Sequence, residues 1–130
     1  MTALYKPTGQ HVLADLHGID AALLTDVAAI DTLLRVAASA AGARILHSHF
    51  HSFGPAMGVT GVLLLAESHI SIHTWPEFGF AAADIFMCGE AQPELALRVI
   101  ENALRPTARE VQTIGRGRAA QRRPYNLRSA

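Results

Sequence analysis

Residues 59–77 read VTGVLLLAESHISIHTWPE. Two patterns meet in this stretch. Val59 through Ala66 is a near-continuous apolar run, the pattern of a strand buried on both faces. From His69 to Thr74 the pattern alternates, with Ile70 and Ile72 on one face and His69, Ser71 and His73 on the other. Consecutive strands joined by so short a turn pair antiparallel.

Working outward, the same logic assigns the rest of the chain. Residues 10–16 form a first strand ended by His17-Gly18. Asp26 is placed to cap a helix in which Val27, Ile30, Leu33, Leu34 and Ala37 recur at helical spacing, and Gly42 is a natural stop. Residues 44–53 form a strand before the turn at 54–58, and residues 80–87 another. Pro93 opens a second helix with Leu95, Val99, Ile100 and Leu104 as its apolar stripe, and Arg105-Pro106 ends it. A last strand covers 108–114. Strands and helices do not alternate, and no G-x-G-x-x-G or phosphate-binding loop occurs, which argues against a doubly wound nucleotide fold. The expected fold is α+β: a two-layer α/β sandwich with a mainly antiparallel sheet and two helices on one face. The other sheet face then needs cover, and a second copy supplies it most simply, giving an αββα dimer.

At 130 residues, half of them apolar, the chain fits one domain with a real core. Formal charge is zero but unevenly placed. Residues 115–130 carry Arg116, Arg118, Arg122, Arg123 and Arg128 and no acid, whereas all eleven acidic residues lie earlier. The domain is therefore expected at 1–114, with 115–130 a basic, flexible tail. No interleaving of aromatic and basic residues points to a nucleic-acid platform. No apolar run approaches the ~20 residues of a membrane span, and the first ten residues hold no signal core. A cytoplasmic protein without nucleic-acid or membrane partners is expected. The single cysteine, Cys88, excludes an internal disulfide.

Two constellations invite chemistry. His47, His49 and His51 alternate on one strand and project to one face, a pattern that can ligate zinc, with Asp84 or Glu67 as a supporting carboxylate. Histidines so placed more often line a polar pocket, and no metal is expected. Ser68 and His73 suggest a hydrolase, but Ser68 lacks a G-x-S-x-G elbow. Strict alternation also sends Ser68 and His73 to opposite faces unless the chain kinks at Ser68.

Glu67-Ser68-His69, His73, Trp75-Pro76-Glu77 and Cys88, with Ser-His-Phe-His at 48–51 and GVTGVLLLAESHISIHTWPE at 58–77, closely resemble the prokaryotic S-adenosylmethionine decarboxylase proenzyme family. The resemblance spans about residues 9–114; the basic tail and the 54–58 loop depart from it. It implies self-cleavage between Glu67 and Ser68, giving a β chain of residues 1–67 and an α chain of 68–130 that begins with a pyruvoyl group made from Ser68. That group would hold substrate as a Schiff base. By the same resemblance His73 is the proton acceptor in processing, Thr60 supports processing, and Cys88 is the proton donor in decarboxylation. Phe53 and Trp75 would sandwich the adenine of S-adenosylmethionine, and Glu77 would hold its ribose. The product would be the aminopropyl donor for spermidine. The family's active sites lie at a dimer interface, so two copies would share them. Cleavage also demands a distorted backbone around Ser68 in the uncut chain. Two other readings stay open: a pyruvoyl enzyme for another amino acid, and a non-catalytic metal-binding module built on His47, His49 and His51.

Overall fold

The structure is a computed structural model that describes residues 6–120. Its elements follow the expected order: β1 (Gly9–His17), α1 (Val27–Ala40), β2 (Ile45–Ser52), β3 (Val59–Leu65), β4 (Ser68–Trp75), β5 (Phe80–Cys88), α2 (Pro93–Leu104) and β6 (Ala108–Arg116). Short 3-10 turns occupy Ala21–Leu24 and Pro76–Phe78.

The helix ends are written locally. The Asp26 side chain accepts the Ala29 N–H at 3.0 Å, satisfying one of the orphan donors of the first turn. At the other end Gly42 takes a φ of 80°. This lets the Ala43 N–H reach the Ala38 carbonyl at 2.9 Å and the Gly42 N–H reach Ser39 at 3.0 Å. Pro93 stands in the first turn of α2, and Arg105 closes that helix in the left-handed region, just before Pro106.

The strands form one six-stranded sheet in the order β2-β3-β4-β5-β1-β6, and every neighbouring pair is antiparallel. Strands β2 to β5 form a meander. The first strand then inserts beside β5, and α2 carries the chain over to β6 on its far side. Both helices pack on one face, where Ile30, Leu34, Ile100 and Leu104 meet Leu16, Leu63, Ile70, Ile72 and Ile85, all essentially buried. Each such side chain contributes about 1.5–3 kcal/mol by leaving water. Gly61 belongs to this face because the Phe50 ring on the neighbouring strand fills the space a Cβ would need.

Two expectations need adjustment. β3 is not buried on both faces. Val59, Gly61, Leu63 and Leu65 are covered, whereas Leu64 is 44% exposed and Thr60 and Val62 are half-buried. The reason is that the helices supply one layer only, so every strand keeps an open face. The last strand also runs through Arg116, past the expected boundary at 114, pairing Gly115 with Gln10 and Arg116 with Gly9. Of the basic tail, Arg122, Arg123 and Arg128 lie outside the described residues.

Candidate active site

The β3–β4 hairpin pairs Leu65 with Ser68, so Ala66 and Glu67 form a two-residue loop. Such loops favour the primed turn types, whose positive φ values match the twist of the strands. Neither Ala66 nor Glu67 has a positive φ, so the loop is of neither primed type. The mismatch emerges at the next residue: Ser68 has a φ of 145°, a region that disfavours any side chain. The distortion expected at Ser68 is present.

The loop is nonetheless held by three hydrogen bonds, two to Arg44 and one to Cys88. The Ala66 N–H donates to the Arg44 carbonyl at 2.9 Å, and the Cys88 N–H donates to the Glu67 carbonyl at 2.9 Å. The Glu67 side chain is turned inward, 6% exposed, and its Oε1 accepts the Arg44 N–H at 2.9 Å. A cavity of about 720 Å³ borders Glu67, with Lys6, Gly89 and Glu90 also on its wall.

Ser68 Oγ lies 3.8 Å from Cys88 Sγ. On β5, Ile85 and Met87 face the core, so Asp84, Phe86 and Cys88 belong to the open face. The twist at Ser68 thus breaks the alternation of β4 and directs its hydroxyl to a thiol on the open side. Cys88 itself is covered, with its sulfur 3.9 Å from the Pro7 carbonyl oxygen.

The other expected residues gather at the opposite end of the sheet. Thr60 Oγ1 and His73 Nδ1 share a hydrogen bond of 3.1 Å across the paired strands. Trp75 follows, its ring 6.3 Å from His73 and 5.3 Å from Phe80, and Phe80 stacks on His17 at 4.9 Å. Phe53 is 56% exposed at the end of β2 and meets the His51 ring at 4.7 Å; Glu77 is exposed in the turn after Trp75. His73 is five residues along β4 from Ser68. At about 3.3 Å per residue the two are separated by roughly 16 Å. Within one chain, therefore, Ser68, Cys88 and Glu67 form one group, and Thr60, His73, Trp75, Phe53 and Glu77 form another.

His47, His49 and His51 do share one face of β2, as their spacing requires, but all three are exposed. Their cross-strand partners are Leu64, Val62 and Thr60, which offer no supporting carboxylate. Glu67 is engaged with Arg44, and Asp84 lies on β5, separated from β2 by two strands.

Asp84 is instead the centre of a cluster that sequence reasoning missed. Its Oδ2 accepts from His11 Nε2 at 2.6 Å and from His69 Nε2 at 2.7 Å, and its Oδ1 accepts from the Ser71 hydroxyl. Burial opposes a charge here, but the hydrogen bonds from His69, Ser71 and His11 hold the carboxyl well below the ordinary carboxylate range. Arg116 donates to His11 Nδ1 at 3.0 Å. A guanidinium cannot accept, so His11 must carry its proton on Nε2 and give it to Asp84. With that proton in place the cluster is a hydrogen-bonded clasp, and the ligand atoms of His11, His69 and Asp84 lie within 4.8 Å of one another. Alternation had placed His69 and Ser71 together; their carboxylate partner depends on the strand order, which no local pattern reveals.

A sequence profile of the S-adenosylmethionine decarboxylase family matches residues 10–117. The S-adenosylmethionine decarboxylase proenzyme of Methanococcus maripaludis is 46% identical over 113 residues, covering 86% of this chain and 92% of its own. The proenzyme of Parasynechococcus marenigrum is 51% identical over 98 residues, covering 75% of this chain and 76% of its own. A crystal structure of the adenosylmethionine decarboxylase of Aquifex aeolicus superposes with a TM-score of 0.83 at 40% identity, covering 93% of this chain and 99% of that one.

Proposed function

The chain belongs to the S-adenosylmethionine decarboxylase family, and on that premise we propose that it is a proenzyme that cuts itself between Glu67 and Ser68 and then decarboxylates S-adenosylmethionine. The product is the aminopropyl donor for spermidine. The cytoplasm as its place of work rests on the family alone; among the described residues no helix is long and apolar enough to cross a membrane.

The observation that carries the reading is the condition of the Glu67–Ser68 bond. Its carbonyl oxygen is gripped by the Cys88 N–H, and its serine is strained at a φ of 145°. Strain of this kind costs about 1–3 kcal/mol and raises the starting state toward reaction. Attack of Ser68 Oγ on the Glu67 carbonyl converts the amide to an ester and frees the Ser68 amine. The Cys88 N–H is placed to stabilise the oxyanion that develops. A base then removes the Ser68 α-proton and the Glu67 carboxylate departs. Hydrolysis with loss of ammonia leaves a pyruvoyl group at position 68. Its carbonyl supplies an electrophile for the substrate amine and a sink for the electrons left when carbon dioxide departs. Ser68 suits that conversion, since its half-buried side chain already faces the Cys88 thiol at 3.8 Å. Cys88 then returns a proton to the substrate carbon.

The base is His73, coupled to Thr60, and it comes from a second copy. A gap of roughly 16 Å along β4 rules out direct proton transfer within the chain. The open face exposes Leu13 at 38%, Leu64 at 44% and Ile114 at 43% among its polar side chains, apolar area that a second sheet would cover. A two-fold axis between two such faces, lying across the strands, sets the Ser68 end of one copy over the His73 end of the other at a sheet spacing of about 10 Å. Each interface then holds two composite sites. The exposed rings of Phe53 and Trp75 would stack the adenine, and Glu77 would accept the ribose hydroxyl protons.

Intact-mass measurement tests the defining reaction. Two fragments of 67 and 63 residues are expected, the second carrying the mass of a pyruvoyl end. A chain that stays whole on long incubation would sink the reading. Carbon dioxide release from S-adenosylmethionine, compared with arginine and ornithine, tests the substrate.

A further inference from the structure

Asp84 touches more of the sheet than any role in bond cleavage requires. Its carboxylate accepts from His69 and Ser71 of β4 and from His11 of β1. Arg116 of β6 backs His11 and lies 5.3 Å over the Phe86 ring. One side chain on β5 therefore ties together β4, β1 and, through His11, β6.

The strand it holds most firmly is the one that cleavage would free. In the uncut chain, Ser68 is fixed by its covalent link through Glu67 to the hairpin loop. The loop in turn is anchored to Arg44 and to the Cys88 N–H. Breaking the Glu67–Ser68 bond leaves the loop and its bonds to Arg44 on the β chain, and the Cys88 N–H, on the α chain, then holds the Glu67 end and no longer Ser68. Position 68 becomes a chain end, and chain ends fray unless tied down. What remains on the α side are the ladder bonds to β3 and β5 and the grip of Asp84 on His69 and Ser71. Asp84 and Cys88 stand on the same strand, β5, with Ser68 opposite Met87 and His69 opposite Phe86.

We infer that Asp84 is a positioning residue of the mature enzyme: its carboxylate clasps His69 and Ser71 and so keeps the strand end released by cleavage in register with Cys88. This rests on the self-cleaving reading above, and it adds a component that acts after the cut rather than during it. Asp84 itself touches neither the scissile bond nor the thiol.

The test uses the full-length chain as wild type, Asp84→Ala, Asp84→Asn and Ser71→Ala. Each is followed by intact mass for cleavage, by kcat and KM for carbon dioxide release, and by hydrogen exchange of the peptide covering residues 69–75. In Asp84→Ala, cleavage should stay within about threefold of wild type, while kcat falls about tenfold or more and KM changes little. Exchange in the cleaved form should rise about tenfold. The same substitution placed on the uncleaved Ser68→Ala chain should raise exchange by less than about threefold, because the loop still holds the strand. Asp84→Asn retains a carbonyl for both histidines and an amide for the Ser71 hydroxyl, so it should recover most of the kcat and the protection. Ser71→Ala removes one contact and should show a smaller rise of about threefold, again only after cleavage, which decides the matter if Asp84→Ala does not fold. Equal loss of cleavage and turnover, or exchange that rises equally in cut and uncut chains, would reduce Asp84 to a general structural residue and overturn the inference. Unchanged kcat and exchange in cleaved Asp84→Ala would overturn it while leaving the self-cleaving reading intact. A wild-type chain that never splits would overturn both.

Discussion

The separation of Ser68 from His73 makes the shared site testable by mixing two inactive variants. A base must come within about 3 Å of the proton it takes, yet these residues lie five positions apart on β4, roughly 16 Å by strand geometry. Ser68→Ala removes the bond-breaking hydroxyl, and His73→Ala removes the base, slowing cleavage by about 10²–10⁴-fold. Neither variant alone should split at the wild-type rate. In a mixed dimer, one site combines Ser68 of the His73→Ala chain with His73 of the Ser68→Ala chain, and that site is whole. Random pairing of equal amounts puts about half of the His73→Ala chains into mixed dimers. After co-refolding, about half of those chains should therefore be cut, and none of the Ser68→Ala chains. A mass tag on one variant tells the two apart. No cutting in the mixture above the background of the separate variants would refute the composite site, as would full-rate cleavage of His73→Ala alone.

Other expectations follow from single contacts. Cys88→Ala keeps the backbone N–H that grips the Glu67 carbonyl, so most cleavage should survive while turnover falls about 10²–10⁴-fold in a carbon dioxide release assay. Thr74 is buried, with its Oγ1 accepting the Val59 N–H at 2.8 Å and donating to the Leu24 carbonyl at 2.8 Å. Thr74→Val strands both partners and should lower stability by about 2–4 kcal/mol in urea unfolding of the uncleaved Ser68→Ala chain. Asp84 is held more acidic in the folded chain than its ordinary value of 3.8, so the stability it contributes is present above that pH and is lost as pH falls below it. The stability gap between wild type and Asp84→Asn should accordingly be larger at pH 7 than at pH 3, and a gap that widens in acid would contradict the assignment.

What was legible in the sequence was what depends on neighbours along the chain. Asp26 and Gly42 announced the limits of α1, and the alternation of Ile70 and Ile72 with His69, Ser71 and His73 gave β4 its two faces. The candidate site residues stood out only jointly, because a lone cysteine or tryptophan is ordinarily core. Sheet order was not legible. Nothing local tells β1 to enter between β5 and β6, since that choice is made by α1 and α2 packing on a common face. The Asp84 clasp, drawn from β1, β4, β5 and β6, was hidden for the same reason. The apolar run at 59–66 misled because it registers hydrophobicity without saying what covers it: one side meets the helices, and the other is open in the single chain. Ser68 and His73 stand on one strand, β4, at its two ends. Their separation follows from strand geometry, because a strand spreads its residues along its length.

The composition of the hairpin loop bears on why the Glu67–Ser68 bond would break under the proposed reaction. A two-residue loop would ordinarily place Gly or Asn where positive φ is needed, and here it has Ala66 and Glu67. The loop therefore cannot take up the strand twist, and Ser68 absorbs it. Ala66→Gly removes that constraint with Glu67 left in place, because a glycine at the first loop position permits a type II′ turn. If strain at Ser68 drives the acyl shift, the relaxed loop should lose part of the 1–3 kcal/mol such a conformation stores, and cleavage should slow by about tenfold. The uncleaved Ser68→Ala chain carrying Ala66→Gly should meanwhile gain stability, whereas Ala66→Ser, with no access to positive φ, should leave both quantities near their starting values. Slower cleavage without a gain in stability would point to disturbed contacts in the loop. An unchanged rate with a gain in stability would mean that the strained serine accompanies the reaction without driving it.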